Sequence, residues 1–247
     1  MITASIVSHG HGSMVVEIAN QLSKSEFVKK IVITLNIPED LSCDNEKIII
    51  VNNTKKKGFG ANHNKAFRDY CNTEFFLVIN PDVKLNPEIF KELVYRMSGS
   101  DLSFCAVKVL NSHAELENSY RDFPNATHLL KKLFKIKIAE NLNTLKINNK
   151  IFSDWIAGMF LLFKSDSYMV LNGFDQSTFF LYYEDVDICY RAKLQNMRYI
   201  VWDDLAIEHN AQRDSHKKIK YAALHFCSHV KFLLRYYFGR GLVIKRD

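Results

Sequence analysis

The chain has 247 residues and a formal net charge of +6, with 47% of its residues hydrophobic and 24% charged. That length suits one large domain or two small ones, and the composition excludes a disordered or fibrous chain. The mild basic excess suits an anionic ligand or an anionic membrane surface, and falls short of the concentrated charge of a nucleic-acid binder, so no nucleic-acid partner is expected.

In chain order, residues 2–8 read as a strand and residues near 14–24 as a helix. Residues 30–36 and 47–51 read as two more strands, 61–70 as a helix and 75–79 as a buried strand. A helix follows over 87–97, with Pro87 suited to its first position. Strands alternating with helices predict an α/β fold, a mostly parallel sheet covered on both faces. Ligands collect at the carboxyl ends of such strands, here residues 8–11, 35–36, 52–60 and 80–82.

Residues 111–150 are rich in Lys, Asn and Leu and read as a peripheral insertion. After them come an apolar run, WIAGMFLLF (155–163), a turn at Asn172-Gly173, an aromatic run, FFLYY (179–183), and an acidic helix start, Glu184-Asp185-Val186-Asp187. Strands are expected over 198–202 and 205–208, and a helix over 215–238. The apolar run is about half of what a membrane-spanning helix needs, and the N-terminus has no signal-peptide pattern. Five scattered cysteines without a CxxC pair argue for a reducing compartment and against a disulfide framework. The expectation is a cytoplasmic protein with a catalytic domain over 1–212 and a helical extension over 213–247.

Four segments carry candidate chemistry. Asn80-Pro81-Asp82 directly follows the apolar strand FFLVI. Hard cations take oxygen ligands, so Asp82 is a candidate cation ligand and Asn80 a candidate partner for a sugar hydroxyl, although Asn-Pro-Asp is also good turn chemistry. Gly58-Phe59-Gly60-Ala61-Asn62-His63-Asn64 precedes a helix. Glycines admit close backbone approach and a helix N-terminus offers amides to anions, which makes Gly58, Gly60 and Asn64 ligand-binding candidates. Glu184, Asp185 and Asp187 fall in a first helical turn, where the helix dipole favours ionised carboxylates. An ionised carboxylate beside a sugar pocket suits a general base, and Asp187 with Arg191 has i,i+4 pairing distance. His209 closes the last strand, where it suits a metal or a phosphate. Ser8, His9, Gly10 and His11 end the first strand and line the expected nucleotide pocket.

Taken in order, SIVSHGH (5–11), GFGANHNKAF (58–67), NPDV (80–83), YRDFP (120–124), DWIAGMFLLF (154–163), NGFDQ (172–176), FFLYYEDVDICYR (179–191) and His209 resemble the family 2 glycosyltransferases, most closely the rhamnosyltransferases of bacterial O-antigen assembly. The resemblance covers most of residues 1–210. It implies a GT-A fold, with a nucleotide-sugar-binding half over 1–110 and an acceptor and catalytic half over 111–212. It also implies an inverting displacement with Asp185 as the base, and Mg²⁺ or Mn²⁺ held by Asp82 with His209 nearby. Trp155, Gly158 and Met159 match the acceptor-side loop, and Arg121 and Glu184 fall in substrate-contacting motifs. The family's second strand usually ends Asp-Asn, where the Asp reads the base; here the pair is Leu35-Asn36. Base recognition is left to Asn36, Glu39 or Asp40, and the donor nucleotide stays open. The resemblance implies dTDP-L-rhamnose as donor, with a UDP-hexose or another dTDP-deoxysugar as alternatives. A non-catalytic nucleotide-sugar-binding module is the other alternative, against which the presence of both Asp82 and Asp185 stands.

In the last helix, Ala223, Phe226, Cys227, Val230, Leu233, Leu234, Tyr237 and Phe238 recur at helical spacing as one apolar stripe. Lys217, Lys218, Lys220, Lys231 and Arg235 lie mostly off the stripe, and Arg240, Lys245 and Arg246 follow it. Such a helix can lie in the interface of an anionic bilayer or pack on the domain. The resemblance implies a saccharide acceptor on a polyprenyl diphosphate, hence a peripheral position on the inner face of the cytoplasmic membrane. A second basic stretch, HLLKKLFKIK (128–137), can add to that contact.

Overall fold

The structure, a computed structural model, describes residues 1–125, 144–210 and 218–239. The strands are β1 (Ile2–Ser8), β2 (Val28–Leu35), β3 (Ile48–Asn52), β4 (Phe75–Ile79), β5 (Val83–Lys84), β6 (Leu102–Leu110), β7 (Tyr120–Arg121), β8 (Leu145–Ile147), β9 (Lys150–Phe152), β10 (Trp155–Ile156), β11 (Phe160–Lys164) and β12 (Arg198–His209). The helices are α1 (Ser13–Ser23), α2 (Phe59–Tyr70), α3 (Ile89–Ser98), α4 (Ser165–Val170), α5 (Glu184–Leu194) and α6 (Lys218–Phe238).

One ten-stranded sheet runs in the order β3-β2-β1-β4-β11-β6-β12-β9-β8, with β5 paired to the end of β12. β1, β2, β3 and β4 are mutually parallel, as are β6 and β12. β11 runs antiparallel between β4 and β6. The sheet is therefore mostly parallel in strand direction, as an α/β sequence demands. β1 and β4 are buried at every position, because helices cover both faces. Alternation along β4 feeds two cores: Phe75, Leu77 and Ile79 join α1 and α3 on one face. Phe76 and Val78 join Phe163, Tyr168 and α5 on the other.

Three readings of the sequence are refined. The segment 111–150 is not wholly peripheral, since its end forms β8 and β9, an antiparallel hairpin that extends the main sheet through β12. The run 155–163 is not one element: it breaks at Ala157–Met159 into β10, paired with β7, and β11, inside the main sheet. The strands expected over 198–202 and 205–208 are one strand, β12, with a register irregularity between Trp202 and Ala206. The basic stretch 128–137, with Lys217, Arg240, Lys245 and Arg246 and the side chains of Lys218 and Lys220, lies outside the described residues.

Candidate active site

The ends of β1, β4, β6 and β12, and the start of antiparallel β11, reach the same edge of the sheet. Asn80 and Asp82 sit just past β4. The Asn80 amide donates to the Met159 carbonyl at 3.0 Å. One residue earlier, the Gly158 amide donates to Asp185 Oδ2 at 3.0 Å. The loop 157–159 thus joins the end of β4 to the start of α5. Arg121 and Trp155 face each other across the β7–β10 pair, the guanidinium 5.8 Å from the indole ring centre, and Trp155 Nε1 donates to the Asp122 carbonyl.

Asp185 lies in the first turn of α5, with Oδ1 accepting the Val186 amide at 2.8 Å. Burial raises its pKa; the Gly158 and Val186 amides and the nearby Arg121 charge work the other way. Glu184 is almost fully buried and its Oε2 has no hydrogen-bond partner among the described residues. Burial, then the neighbouring Asp185 and Asp187 carboxylates, push its pKa up to about 8. The two residues before α5, Tyr182 and Tyr183, both have left-handed backbones, φ 69° and 72°. Aromatic residues there are strained, and such strain is held only where the surroundings over-determine it.

β5 pairs antiparallel with the end of β12, placing Val83 opposite His209. This brings His209 Nε2 within 3.2 Å of Asp82 Oδ2. The other imidazole nitrogen, Nδ1, is 2.9 Å from Glu117 Oε2. Burial lowers the His209 pKa, but Asp82 and Glu117 outweigh it and hold the pKa above the usual histidine value. Asp82 Oδ1 is buried with no partner among the described residues. The site fits a divalent cation on this ground: an orphaned carboxylate oxygen beside an imidazole nitrogen is a donor set waiting for a positive centre. Asp82 and His209 supply two ligands only, and no group of three acidic, His or Cys side chains is placed to hold a metal ion among the described residues. A diphosphate would have to complete the shell.

No protein-family model matches the chain. It is 25% identical over 264 residues to rhamnosyltransferase WbbL of Escherichia coli K12, an alignment spanning 100% of this chain and 96% of WbbL. It is 28% identical over 159 residues to the low-salt glycan biosynthesis hexosyltransferase Agl10 of Haloferax volcanii, over 63% of this chain and 49% of that protein. Among solved structures, GalNAc-T7 with UDP, GalNAc and Mn²⁺ superposes with a TM-score of 0.65 at 11% identity, covering 87% of this chain and 44% of that one.

The chain is a glycosyltransferase with the GT-A fold, similar to the family 2 enzymes.

In this glycosyltransferase the remaining expected site residues divide into two groups. Ser8, His9, Gly10 and Asn36 gather at the end of β1. The Glu39 carboxylate accepts from the Ser8 hydroxyl at 2.5 Å and from the Gly10 and Gly12 amides at 3.2 and 2.6 Å. The Asn36 amide binds the Lys57 backbone through both its oxygen and its nitrogen, each at 2.8 Å, and also contacts Asn53 and His9. Two of the three side chains considered for base recognition therefore hold the pocket's own loops. Burial, then the Lys56 charge, pulls the His9 pKa down to about 4, so it is uncharged at neutral pH.

Gly58, Gly60 and Asn64 form the second group, and the structure ties them to packing between α2 and the segment 172–180. A Cβ on Gly58 would clash with the Phe180 carbonyl oxygen, and one on Gly60 would come within 2.6 Å of Phe174 Cβ. Asn64 Oδ1 accepts from Tyr168 Oη and the Phe174 amide at 2.7 and 2.9 Å, and Nδ2 donates to the Phe174 carbonyl at 2.8 Å. The turn it holds, Asn172-Gly173, has φ of 54° and 61°. Close approach is real here, but to the chain's own Phe180 backbone and Phe174 side chain. Gly60→Ala is therefore expected to cost about 1–3 kcal/mol, the usual penalty for overpacking a well-filled site. A thermal melt reads this directly, and an unchanged melting temperature would show that the seam yields.

Sequence reasoning missed three features. Glu117 carries no local signal and meets His209 only because β6 and β12 pair. Glu39 was weighed as a base reader and not as a cap for the β1–α1 loop. Arg235 was placed off the apolar stripe, yet it is the residue that docks α6. Its guanidinium binds Asp187, which is 0% exposed, and reaches Asp175 Oδ2 at 2.6 Å. Arg191 Nε holds the second Asp187 oxygen at 2.8 Å, the pairing that i,i+4 spacing anticipates. Ser228 Oγ donates to the Leu181 carbonyl at 2.9 Å, while Tyr183 stacks on His229 and meets Phe232. The last helix thus braces the strained tyrosines that launch Asp185.

Proposed function

We propose that this glycosyltransferase inverts the anomeric centre of a nucleotide-activated sugar and transfers it to a saccharide carried on a polyprenyl diphosphate. The observation that carries the reading is the loop 157–159, which links the acid at the start of α5 to the strand end bearing Asn80 and Asp82. In this reading the acceptor hydroxyl lies against Asp185. Its oxygen forms the new bond to C1, the proton passes to Asp185, and the bond from C1 to the diphosphate breaks on the opposite face. Asp82 and His209 would hold a divalent cation, which when bound neutralises the nucleoside diphosphate as it leaves. Trp155, Met159 and Arg121 flank the acceptor side, and Ser8, His9 and Gly10 the nucleotide side. Glu184, next to the base, contributes an uncharged carboxyl at neutral pH.

For the donor we favour dTDP-L-rhamnose, on the end-to-end likeness to WbbL and on Asn80 at a position where a deoxyribose offers one fewer hydroxyl. The test is a panel of sugar nucleotides scored for release of free nucleoside diphosphate, each with Mg²⁺ or Mn²⁺ and again with EDTA. Turnover of dTDP-rhamnose that EDTA abolishes is the expected result. Turnover of UDP-hexoses alone would overturn the donor, and activity indifferent to EDTA would overturn the cation.

The acceptor places the enzyme at the inner face of the cytoplasmic membrane. Among the described residues no helix is long and apolar enough to cross a membrane. On α6 the docked side carries Ser228, His229, Phe232 and Leu233. Most of the expected apolar stripe stays outside: Phe226, Leu234, Tyr237 and Phe238 are exposed, Phe238 at 80%. Packing and lipid contact therefore use different faces of one helix. Full-length protein is expected to co-sediment with anionic liposomes at low salt, and a Phe226→Asp, Phe238→Asp variant to stay in solution. Equal sedimentation of both would remove α6 from the membrane contact.

A further inference from the structure

Glu117 stands outside every motif that the function absorbs, yet its backbone is hydrogen-bonded on both sides. Its amide donates to the Val109 carbonyl at 2.8 Å, and its carbonyl accepts the Ser119 amide at 2.8 Å. The turn before it is tied by the Asn111 side chain, whose Oδ1 accepts the His113 and Glu115 amides at 2.9 and 3.0 Å. A bridge between Leu110 and Leu116 closes that turn back onto β6. β12 runs beside β6 with Glu208 opposite Leu110, so His209 arrives next to the turn. Both the carboxylate and the imidazole are therefore placed by paired backbone, 2.9 Å apart.

An imidazole facing two acids can settle in two neutral arrangements. With the proton on Nε2, it donates to Asp82 Oδ2, the Nδ1 lone pair is left against the Glu117 carboxylate, and Nε2 has no lone pair for a cation. With the proton on Nδ1, it donates to Glu117, and the Nε2 lone pair faces the space beside Asp82. A carboxylate at the far nitrogen of a metal-binding histidine selects the second arrangement and orients the ring. The 3.2 Å between Nε2 and Asp82 Oδ2 is close to the separation of about 3 Å expected for adjacent ligands around a small divalent cation with bonds near 2.1 Å. Asp82 Oδ1 is buried and without a partner among the described residues.

We propose that Glu117 is a positioning residue for the transfer reaction: it holds the Nδ1 proton of His209, so that Nε2 and Asp82 together form a two-ligand seat for the cation that carries the donor diphosphate. The inference rests on the reading of Asp82 and His209 as cation ligands.

The experiment measures Mn²⁺ affinity by electron paramagnetic resonance in the presence of saturating dTDP, for wild type, His209→Ala, Glu117→Leu and Glu117→Gln. Glu117→Leu is expected to weaken Mn²⁺ by about 10–100-fold, the effect of losing such an outer carboxylate. Glu117→Gln, whose side-chain oxygen can accept the same Nδ1 proton, should stay near wild type. If His209→Ala weakens Mn²⁺ while Glu117→Leu does not, the role of Glu117 is wrong and the seat stands. If His209→Ala leaves Mn²⁺ affinity unchanged, the seat itself is wrong, and the proposal with it. Should Glu117→Leu fail to fold, ¹⁵N spectra of histidine-labelled wild type with Mg²⁺ and dTDP decide: a protonated Nδ1 on His209 supports the proposal, and a protonated Nε2 overturns it.

Discussion

Asp185→Asn is expected to cut turnover by about 10²–10⁴-fold, the usual contribution of a positioned general base, while nucleoside diphosphate binding stays near wild type. The carboxylate is already oriented. Oδ2 is held by the Gly158 amide and Oδ1 by the Val186 amide, each oxygen keeping further lone-pair capacity. An asparagine matches this frame at one atom only, because its NH₂ group would face a backbone donor. It also cannot take the hydroxyl proton. The pH profile gives an independent check. A base must be ionised, and burial raises the Asp185 pKa against the pull of the two amides. The acid limb of kcat/KM should therefore fall away at a pH above the ordinary carboxylate range, with activity lost as pH drops through it. Near-wild-type turnover in Asp185→Asn would remove this residue from the role, and an acid limb at the pH of a free aspartate would show that the site is wetter than its geometry implies.

Arg235→Ala is expected to destabilise the fold by about 3–5 kcal/mol, the cost of stripping one partner from a buried ion pair. Asp187 is 0% exposed and shares its two oxygens between Arg191 and Arg235. Without Arg235, half of that carboxylate is left uncompensated inside the protein, and Asp175 loses its contact as well. Asp175 shows how strongly these groups are held: although burial opposes it, hydrogen bonds from Ser177, Arg235 and Thr178 keep its pKa well below the usual aspartate value. Arg235→Lys keeps the charge but not the fork that spans both acids, so it should fall between wild type and alanine. Urea unfolding with matched slopes measures the loss. A change within the 0–1 kcal/mol or so of an exposed ion pair would mean that α6 is held by its apolar contacts instead. Activity should fall with stability in this variant, because α6 also holds Leu181, Tyr183 and the start of α5. For the same reason a chain cut before α6 is not a neutral control for membrane binding, and surface substitutions on Phe226 and Phe238 are the cleaner test.

Much of the fold was legible in the residues themselves. The apolar runs of β1 and β4 match the expected strands residue for residue, and α2, α3 and α5 begin within two residues of their expected starts, because period and local chemistry act over a few neighbours. The family likeness was equally a matter of local strings in order. What short strings cannot carry is which strands lie side by side. The hairpin β8–β9 reads as part of a polar insertion, since its first strand is exposed throughout, and only pairing with β12 makes it sheet.

The sequence alone determined the α/β alternation, the strand end carrying Asp82, the acidic start of α5 and the two-sided character of the last helix. These follow from side-chain period, from turn chemistry and from the preference of carboxylates for a helix N-terminus. Tertiary structure alone decided what Gly58 and Gly60 make room for, which acid faces His209, and where Arg235 ends. Each depends on contacts between positions far apart in the chain, 92 residues for His209 with Glu117 and 48 for Arg235 with Asp187. A glycine, a glutamate or an arginine has the same local signal whether it meets a ligand, solvent or its own chain; burial and a partner's position, fixed only when the sheet closes, choose among them.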